Sequence, residues 1–288
     1  MQPTILIIGA TGNIGSELTR LLSNEGQNVR VTVRPTSNTE KLKNPGVELV
    51  NADLSDTASL KEAMSGIEKV FFAAPLAPNM VELSSNIIQA AKEAGVKHLV
   101  KISGIGAELE AITLAKWHRA VEKEMEQSGM DYTFLRPNSF MQNIVNYSGY
   151  TIRDHGAMYA PMGDGKISLI DARDIAKVAY HVLTEKGHEN KAYTLTGPSA
   201  ISYPEIADIL STVTGKSVKF VDVSAEDARK SMLGAGMPTE VVDALLELNH
   251  INKLGYTADV SNTVEEITGQ KATSFEAFAK DNKEAFLG

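Results

Sequence analysis

The chain has 288 residues, 43% hydrophobic and 22% charged, a composition that excludes disorder and fibrous repeats and suits one large α/β domain or a two-lobed one. Lys and Arg number 28 against 36 Asp and Glu, a formal charge of −8, so direct nucleic-acid binding through a broad basic face is not expected. There is no cysteine, which removes disulfides, thiolate metal sites and cysteine nucleophiles, and leaves redox chemistry to a cofactor. No metal site is expected. The first apolar run, Ile5-Leu6-Ile7-Ile8, is too short for a signal peptide or a membrane span, and nothing later approaches the length needed to span a bilayer; a cytoplasmic, non-membrane protein is expected.

Short apolar runs alternate with segments of helical period, the pattern of βα units on a parallel sheet. Strands are expected at 4–8, 29–33, 47–50, 69–73, 97–102 and 131–135, and helices at 13–25, 56–65, 79–94 and 111–128. The fold class is therefore α/β, a doubly wound parallel sheet of the Rossmann kind, with ligands at the loops that follow the strands. Past about residue 138 the alternation fails. Gly156, Pro161, Gly163 and Gly165 make 150–170 read as loop and hairpin, followed by a helix at 172–185, a strand at 192–196, a helix at 203–213 and a strand at 218–223. Ser202 with Glu205 forms a capping box, and Ser224 with Asp227 a weaker version. The expected division is a dinucleotide-binding domain at 1–150 and a smaller, interleaved α/β substrate-binding region at 151–288 that returns in part to the sheet. Pro238 to Leu248 is more apolar than an exposed helix requires, and reads either as packing or as the wall of a ligand site.

Gly9-Ala10-Thr11-Gly12-Asn13-Ile14-Gly15 follows the first strand and opens the first helix. Gly9 allows the sharp turn, Gly12 admits a pyrophosphate to bare backbone, and Gly15 lets the helix approach the sheet. Together with Thr11, Asn13 and Ile14 they are the cofactor-binding loop, its free N–H groups facing the anion. A site preferring NAD ends its second strand with an acidic residue; here the strand ends in Arg34, with Ser37 following, a cation and a hydroxyl suited to a 2′-phosphate. NADP(H) is therefore favoured over NAD(H), the alternative being that Arg34 merely solvates a strand end. Asp53-Leu54 ends the third strand, where the carboxylate can accept from an adenine amino group while Leu54 packs on the ring; capping of the helix near Asp56 is the other reading. Ala73-Ala74-Pro75 forms a wall of small residues against which a flat ring can lie.

These stretches, with Ala94-Gly95-Val96-Lys97-His98 into Ser103, Asp131-Tyr132-Thr133-Phe134-Leu135-Arg136-Pro137, Asp171-Ala172-Arg173-Asp174-Ile175-Ala176 and the strand from Tyr193 to Gly197, occur in an order that resembles the NmrA-like atypical short-chain dehydrogenases/reductases. That group includes NADPH-dependent quinone and azo-dye-type reductases and redox-sensing regulators, and the resemblance covers almost the full length. Most catalytic members of the wider superfamily use a Tyr-x-x-x-Lys pair, whose lysine lowers the phenol pKa. None of the eight tyrosines here has a lysine four residues on; by similarity Leu114 takes the tyrosine place and His118 the lysine place. The resemblance also places Pro137, Asn138, Phe140, Met141 and Asn143 near the nicotinamide, with Tyr147 and Tyr150 on the substrate side; core packing and an amphipathic surface are the other readings of these aromatic and methionine residues.

His118 shares a helix side with Leu114 and Val121, so it is a candidate to donate a proton or bind the nicotinamide ribose, or else it flanks the packing stripe of Trp117, Val121 and Met125. Ser103 is the second catalytic candidate, orienting substrate or the cofactor amide. With the tyrosine missing, the expected activity is hydride transfer from NADPH to a small conjugated electrophile (quinone, azo or imine type), whose reduced anion demands no strong acid. The alternative is a non-catalytic NADP(H)-sensing regulator with a protein partner, and a homo-oligomer is compatible with either.

Overall fold

The β-branched runs of the first half form strands and the helical-period segments between them form helices, in a computed structural model that describes residues 4–287. In chain order these are β1 (Ile5–Ile8), α1 (Asn13–Asn24), β2 (Val29–Val33), β3 (Val47–Asn51), α2 (Thr57–Ala63), β4 (Lys69–Phe72), α3 (Met80–Ala94), β5 (His98–Ile102), α4 (Thr113–Gln127) and β6 (Asp131–Pro137). Each lies within about two residues of its expected bounds, because a buried parallel strand and an amphipathic helix both announce themselves by local period. Then follow α5 (Gly149–His155), β7 (Ala157–Ala160), β8 (Lys166–Ile167), α6 (Ala172–Thr184), β9 (Lys191–Leu195), β10 (Ile201–Ser202), α7 (Tyr203–Thr214) and β11 (Lys219–Asp222). Last come α8 (Ala225–Gly234), α9 (Thr239–Lys253), α10 (Thr263–Thr268), α11 (Phe275–Asp281) and α12 (Glu284–Leu287).

Seven strands form one sheet in the order β3-β2-β1-β4-β5-β6-β9, and the pairings from β3 through β6 are all parallel. The strand order reverses between β1 and β4, the switch point at which doubly wound sheets bind ligands. The chain divides into two compact units: the first runs to Ala111, resumes over Ala115–Arg136 and takes back Ile175–Tyr193, while the second holds Ile112–Leu114, Pro137–Asp174 and the chain from Thr194 on. The expected bounds of 1–150 and 151–288 thus compare with a second unit that, apart from Ile112–Leu114, starts at Pro137 and is interrupted by most of α6 and of β9. In the first unit Leu6, Ile8, Val70, Phe72, Leu99 and Phe134 from the strands meet Ile87, Ile88, Val121 and Met125 from α3 and α4 in one core.

The second unit has its own core around Met141, Met158, Leu169, Ile206, Leu210 and Phe278. The hairpin expected over 150–170 is not formed. Residues 144–148 make a π-helical turn that leads into α5, β7 pairs in parallel with β11, and β8 pairs antiparallel with β10. The partner of β7 lies some sixty residues downstream, with Lys219 N–H donating to Gly156 O at 2.8 Å, so no local alternation could reveal it. The capping box at α7 is present in both directions, and Ser224 caps α8 through Asp227 N–H.

Candidate active site

The glycine loop joins β1 to α1 with two glycines that the fold itself demands. Gly9 has φ +87°, and a Cβ there would lie 2.9 Å from Ala73 O; a Cβ on Gly15 would lie 2.3 Å from Gly9 O. Gly12 is different. Its φ of −81° suits any residue, and a Cβ would meet only Gly9 O at 3.4 Å, an ordinary contact. The fold itself would thus accept a Cβ at Gly12. Gly12 is also the N-cap of α1, with no side-chain cap and no acidic residue in the first turn, so the helix start presents unanswered N–H groups to solvent. Thr11, Gly12 and Asn13 are exposed, whereas the Ile14 side chain is buried and offers only its backbone. A diphosphate fits this Cβ-free, anion-seeking cradle.

Around the cradle, Ala73 N–H donates to Ile8 O, which brings the Ala73-Ala74-Pro75 wall beside Gly9. Arg34 is exposed; its backbone N–H donates to Ser37 Oγ at 3.1 Å and its carbonyl accepts from Ser37 N–H at 2.9 Å, a turn that holds the two residues together. Asp53 Oδ1 accepts from Ser55 N–H and Ser55 Oγ, and these two bonds hold its carboxyl below the usual carboxylate range, with a smaller contribution from the Arg34 charge. Asp53 thus braces its own turn, while Asp56 caps α2 through Ala58 and Ser59. Leu54 packs in part on the core of the first unit.

The catalytic candidates lie in a charged cluster that sequence reasoning missed. Ser103, the second catalytic candidate, is buried, and its hydroxyl donates to Glu122 Oε1 at 2.7 Å. Glu122 is fully buried on α4 and also accepts from Arg136 Nε and Nη2. Burial pushes its carboxyl up, and the bonds from Arg136 and Ser103 outweigh that and keep it below the ordinary value. Lys101, in the middle of β5 and 1% exposed, donates to Ile102 O at 3.0 Å and meets His118 Nδ1 at 2.9 Å. Burial lowers the Lys101 ammonium to about 7, against the opposing pull of Glu122. Burial first, and the Lys101 charge second, hold the His118 imidazole well below its ordinary pKa. Both causes work against a cationic His118. A charged residue inside a central parallel strand, where a continuous apolar run is the rule, is the signal by which Lys101 could have been found.

In the second unit, Phe140, Asn143 and Tyr147 line one cavity of about 420 Å³, within the range of small-molecule sites. Tyr159, Tyr203, Met162, Met232 and Met237 complete much of its wall, and Leu245 and Leu248 of α9 join them, while Val241 and Val242 are buried. The 238–248 segment therefore packs on one side and walls a cavity on the other. Asn138 differs from expectation: it is 2% exposed, its amide donates to Ser168 Oγ and Thr257 O, and its Oδ1 accepts from Ser139 N–H, so the side chain is fully engaged inside the unit. Pro137 is buried beside it, and Tyr147 and Tyr150 are exposed. Among the described residues there is no cluster of three or more metal-type ligands, and no helix long and apolar enough to cross a membrane.

The NmrA-like family model matches residues 1–284. The chain belongs to this family. The NAD(P)H azoreductase of Xenophilus azovorans is 42% identical over 283 residues, covering 98% of this chain and 99% of the relative. Among solved NmrA-like structures, the NADPH-dependent quinone oxidoreductase of Escherichia coli complexed with NADPH superposes with a TM-score of 0.85 at 30% identity, covering 97% of this chain and 99% of that one. The Citrobacter triphenylmethane reductase complexed with NADP(H) gives a TM-score of 0.84 at 30% identity, over 96% of this chain and 99% of that one.

Proposed function

We propose that the protein is an NADPH-dependent reductase of a flat, conjugated electrophile of the quinone, azo or imine type. The observation that carries this reading is the uncapped start of α1 behind a glycine that the fold does not itself require. Relatives named as an azoreductase, a quinone oxidoreductase and a triphenylmethane reductase support it, each acting on a conjugated acceptor by its own name. Bound NADPH would supply the hydride.

The chain's own residues bind and orient. N–H groups at the head of α1, in the loop of Gly9, Thr11, Gly12, Asn13, Ile14 and Gly15, hold the diphosphate. The Arg34 guanidinium and the Ser37 hydroxyl take the 2′-phosphate, which accounts for a preference for NADPH. The Ala73-Ala74-Pro75 wall lets a ring lie close to backbone. Phe140, Asn143 and Tyr147 hold the acceptor in a cavity whose aromatic and methionine walls exclude water and adapt to acceptors of differing outline. Because a reduced quinone or azo anion is delocalised and far less basic than an alkoxide, the site functions without the Tyr-x-x-x-Lys pair.

The test is oxidation of NADPH and NADH against a panel of quinones, azo dyes and iminium compounds, with calorimetric titration of each coenzyme. Turnover of at least one acceptor class with preference for NADPH is expected. Binding of the coenzyme with no oxidation anywhere in the panel would overturn the reading.

A further inference from the structure

The cavity of the second unit holds a buried polar group that the fold leaves unanswered. Leu245, Leu248, Asn249 and Asn252 reach its wall from α9, at the spacings of three and four residues that share one side of a helix. Asn252 is 2% exposed, the most deeply buried polar side chain of that wall. Its position is fixed from several directions. The backbone carbonyl accepts from Gly255 N–H at 2.9 Å, and Gly165 packs so close that a Cβ there would lie 2.2 Å from the same oxygen. The side-chain Oδ1 accepts from the Thr257 hydroxyl at 2.7 Å. Thr257 is held in turn, its carbonyl accepting from Ser168 N–H, Ser168 Oγ and Asn138 Nδ2. Asn252 Nδ2 is left over. None of the described residues accepts from it, and it is not sealed in, for among them the only buried side-chain nitrogen or oxygen without a hydrogen bond is Arg30 Nε. Nδ2 therefore opens on the cavity, a donor with no acceptor capacity of its own.

We propose that Asn252 determines the specificity of this cavity, its Nδ2 donating to a lone pair on the flat ring that binds there, so that ring carbonyls and azo nitrogens are taken ahead of bare hydrocarbons and iminium cations. This rests on the reductase reading above and narrows its class of acceptor. A ring with no lone pair covers the donor and gives it nothing in return, which costs about 10–100-fold in affinity. An iminium nitrogen has no lone pair and sets a positive charge against the positive end of the N–H dipole. One group in the wall pulls the other way, since Asp227 is its only ionised side chain and attracts cations. It is the weaker influence. Asp227 is exposed, and its carboxylate accepts from Ser224 Oγ at 2.7 Å in the first turn of α8, where the helix start already balances its charge. An exposed charge is screened by salt and solvent, whereas a buried donor is not.

The probes are 1,4-naphthoquinone, naphthalene and N-methylquinolinium, flat bicyclic compounds of similar outline that differ in lone pair and charge. Titrated calorimetrically into the full chain without coenzyme, the quinone should bind at least about tenfold more tightly than either of the others. In 15N-labelled protein the Asn252 side-chain amide signal, identified by its loss in Asn252→Leu, should move with the quinone and stay in place with naphthalene. Asn252→Leu should weaken quinone binding about 10–100-fold and leave naphthalene within about threefold, a split that lost packing alone would not produce. That variant also strips the Thr257 hydroxyl of its partner, so Asn252→Leu with Thr257→Val, which removes both ends of the bond, should show the same loss of selectivity on a more stable fold. A quinone that binds no more tightly than naphthalene, or leaves the Asn252 signal unmoved, overturns the proposal on the wild type alone. So does tightest binding of N-methylquinolinium, which would hand the choice to Asp227. Quinone binding at Nδ2 with no oxidation of either coenzyme across the acceptor panel sinks the reductase reading and leaves the ligand class of the cavity standing.

Discussion

Arg136 grips the buried Glu122 at both carboxylate oxygens, Nε to Oε1 at 2.9 Å and Nη2 to Oε2 at 2.7 Å. Ser103 shares Oε1, so one carboxylate ties the ends of β5 and β6 to α4. A two-point bond of this kind fixes orientation as well as charge.

Removing one partner should therefore cost far more than removing both. Glu122→Leu leaves the Arg136 guanidinium, itself largely buried, with only the half-exposed Glu108 carboxylate as its anion, and should lose about 3 kcal/mol in urea unfolding. Glu122→Leu with Arg136→Met should recover a good part of that loss. A double variant as unstable as the single one would show that the pair does not carry the effect.

The glycine loop separates fold from binding. Gly15→Ala should destabilise the protein by about 1–3 kcal/mol, because its Cβ would fall 2.3 Å from a backbone oxygen. Gly12→Ala should unfold within about 0.5 kcal/mol of the wild type and yet bind NADPH at least about tenfold more weakly by calorimetry. Equal losses of stability in the two variants would contradict the distinction.

Arg34→Gln should weaken NADPH binding about 10–100-fold, the value of a charge-assisted bond, and leave NADH binding nearly unchanged. The effect should shrink with added salt, since the Arg34 side chain is exposed. A parallel loss for both coenzymes would place Arg34 elsewhere than on the 2′-phosphate.

His98 supplies a pH dependence of stability. It is 3% exposed, bonded to Thr133 Oγ1, and lowered to about 4 by burial, with the Lys69 charge adding. The unfolded chain takes up its proton at about pH 6.5 and the folded protein does not, so stability is lost as pH falls from about 6.5 toward 4, by up to about 3 kcal/mol. Denaturant titrations at steps across that window should show the slope, and His98→Gln should flatten it.

Much of the first unit is legible in one dimension. Strands β1 to β6 and helices α1 to α4 are fixed by hydrophobic period and turn chemistry over windows of a dozen residues, and the diphosphate cradle needs only three glycines between a strand and a helix. Arg34 and Ser37 are likewise close neighbours in the chain, so the coenzyme preference can be argued without a fold. The same local window explains the capping residues Ser202 and Ser224.

What three dimensions decided is every feature that depends on partners far apart in the chain. Lys101 meets His118 seventeen residues on, Ser103 meets Glu122 nineteen on, and β7 finds β11 across some sixty, each brought together only when the sheet and its helices close. Asn138, read as a cofactor contact, instead answers Thr257 across 119 residues. Sequence period records which face of an element is apolar, because burial of that face is a local requirement. Which buried polar atom answers which other is set by packing, and it is packing that put the ammonium-bearing Lys101 of β5 behind the His118 imidazole of α4.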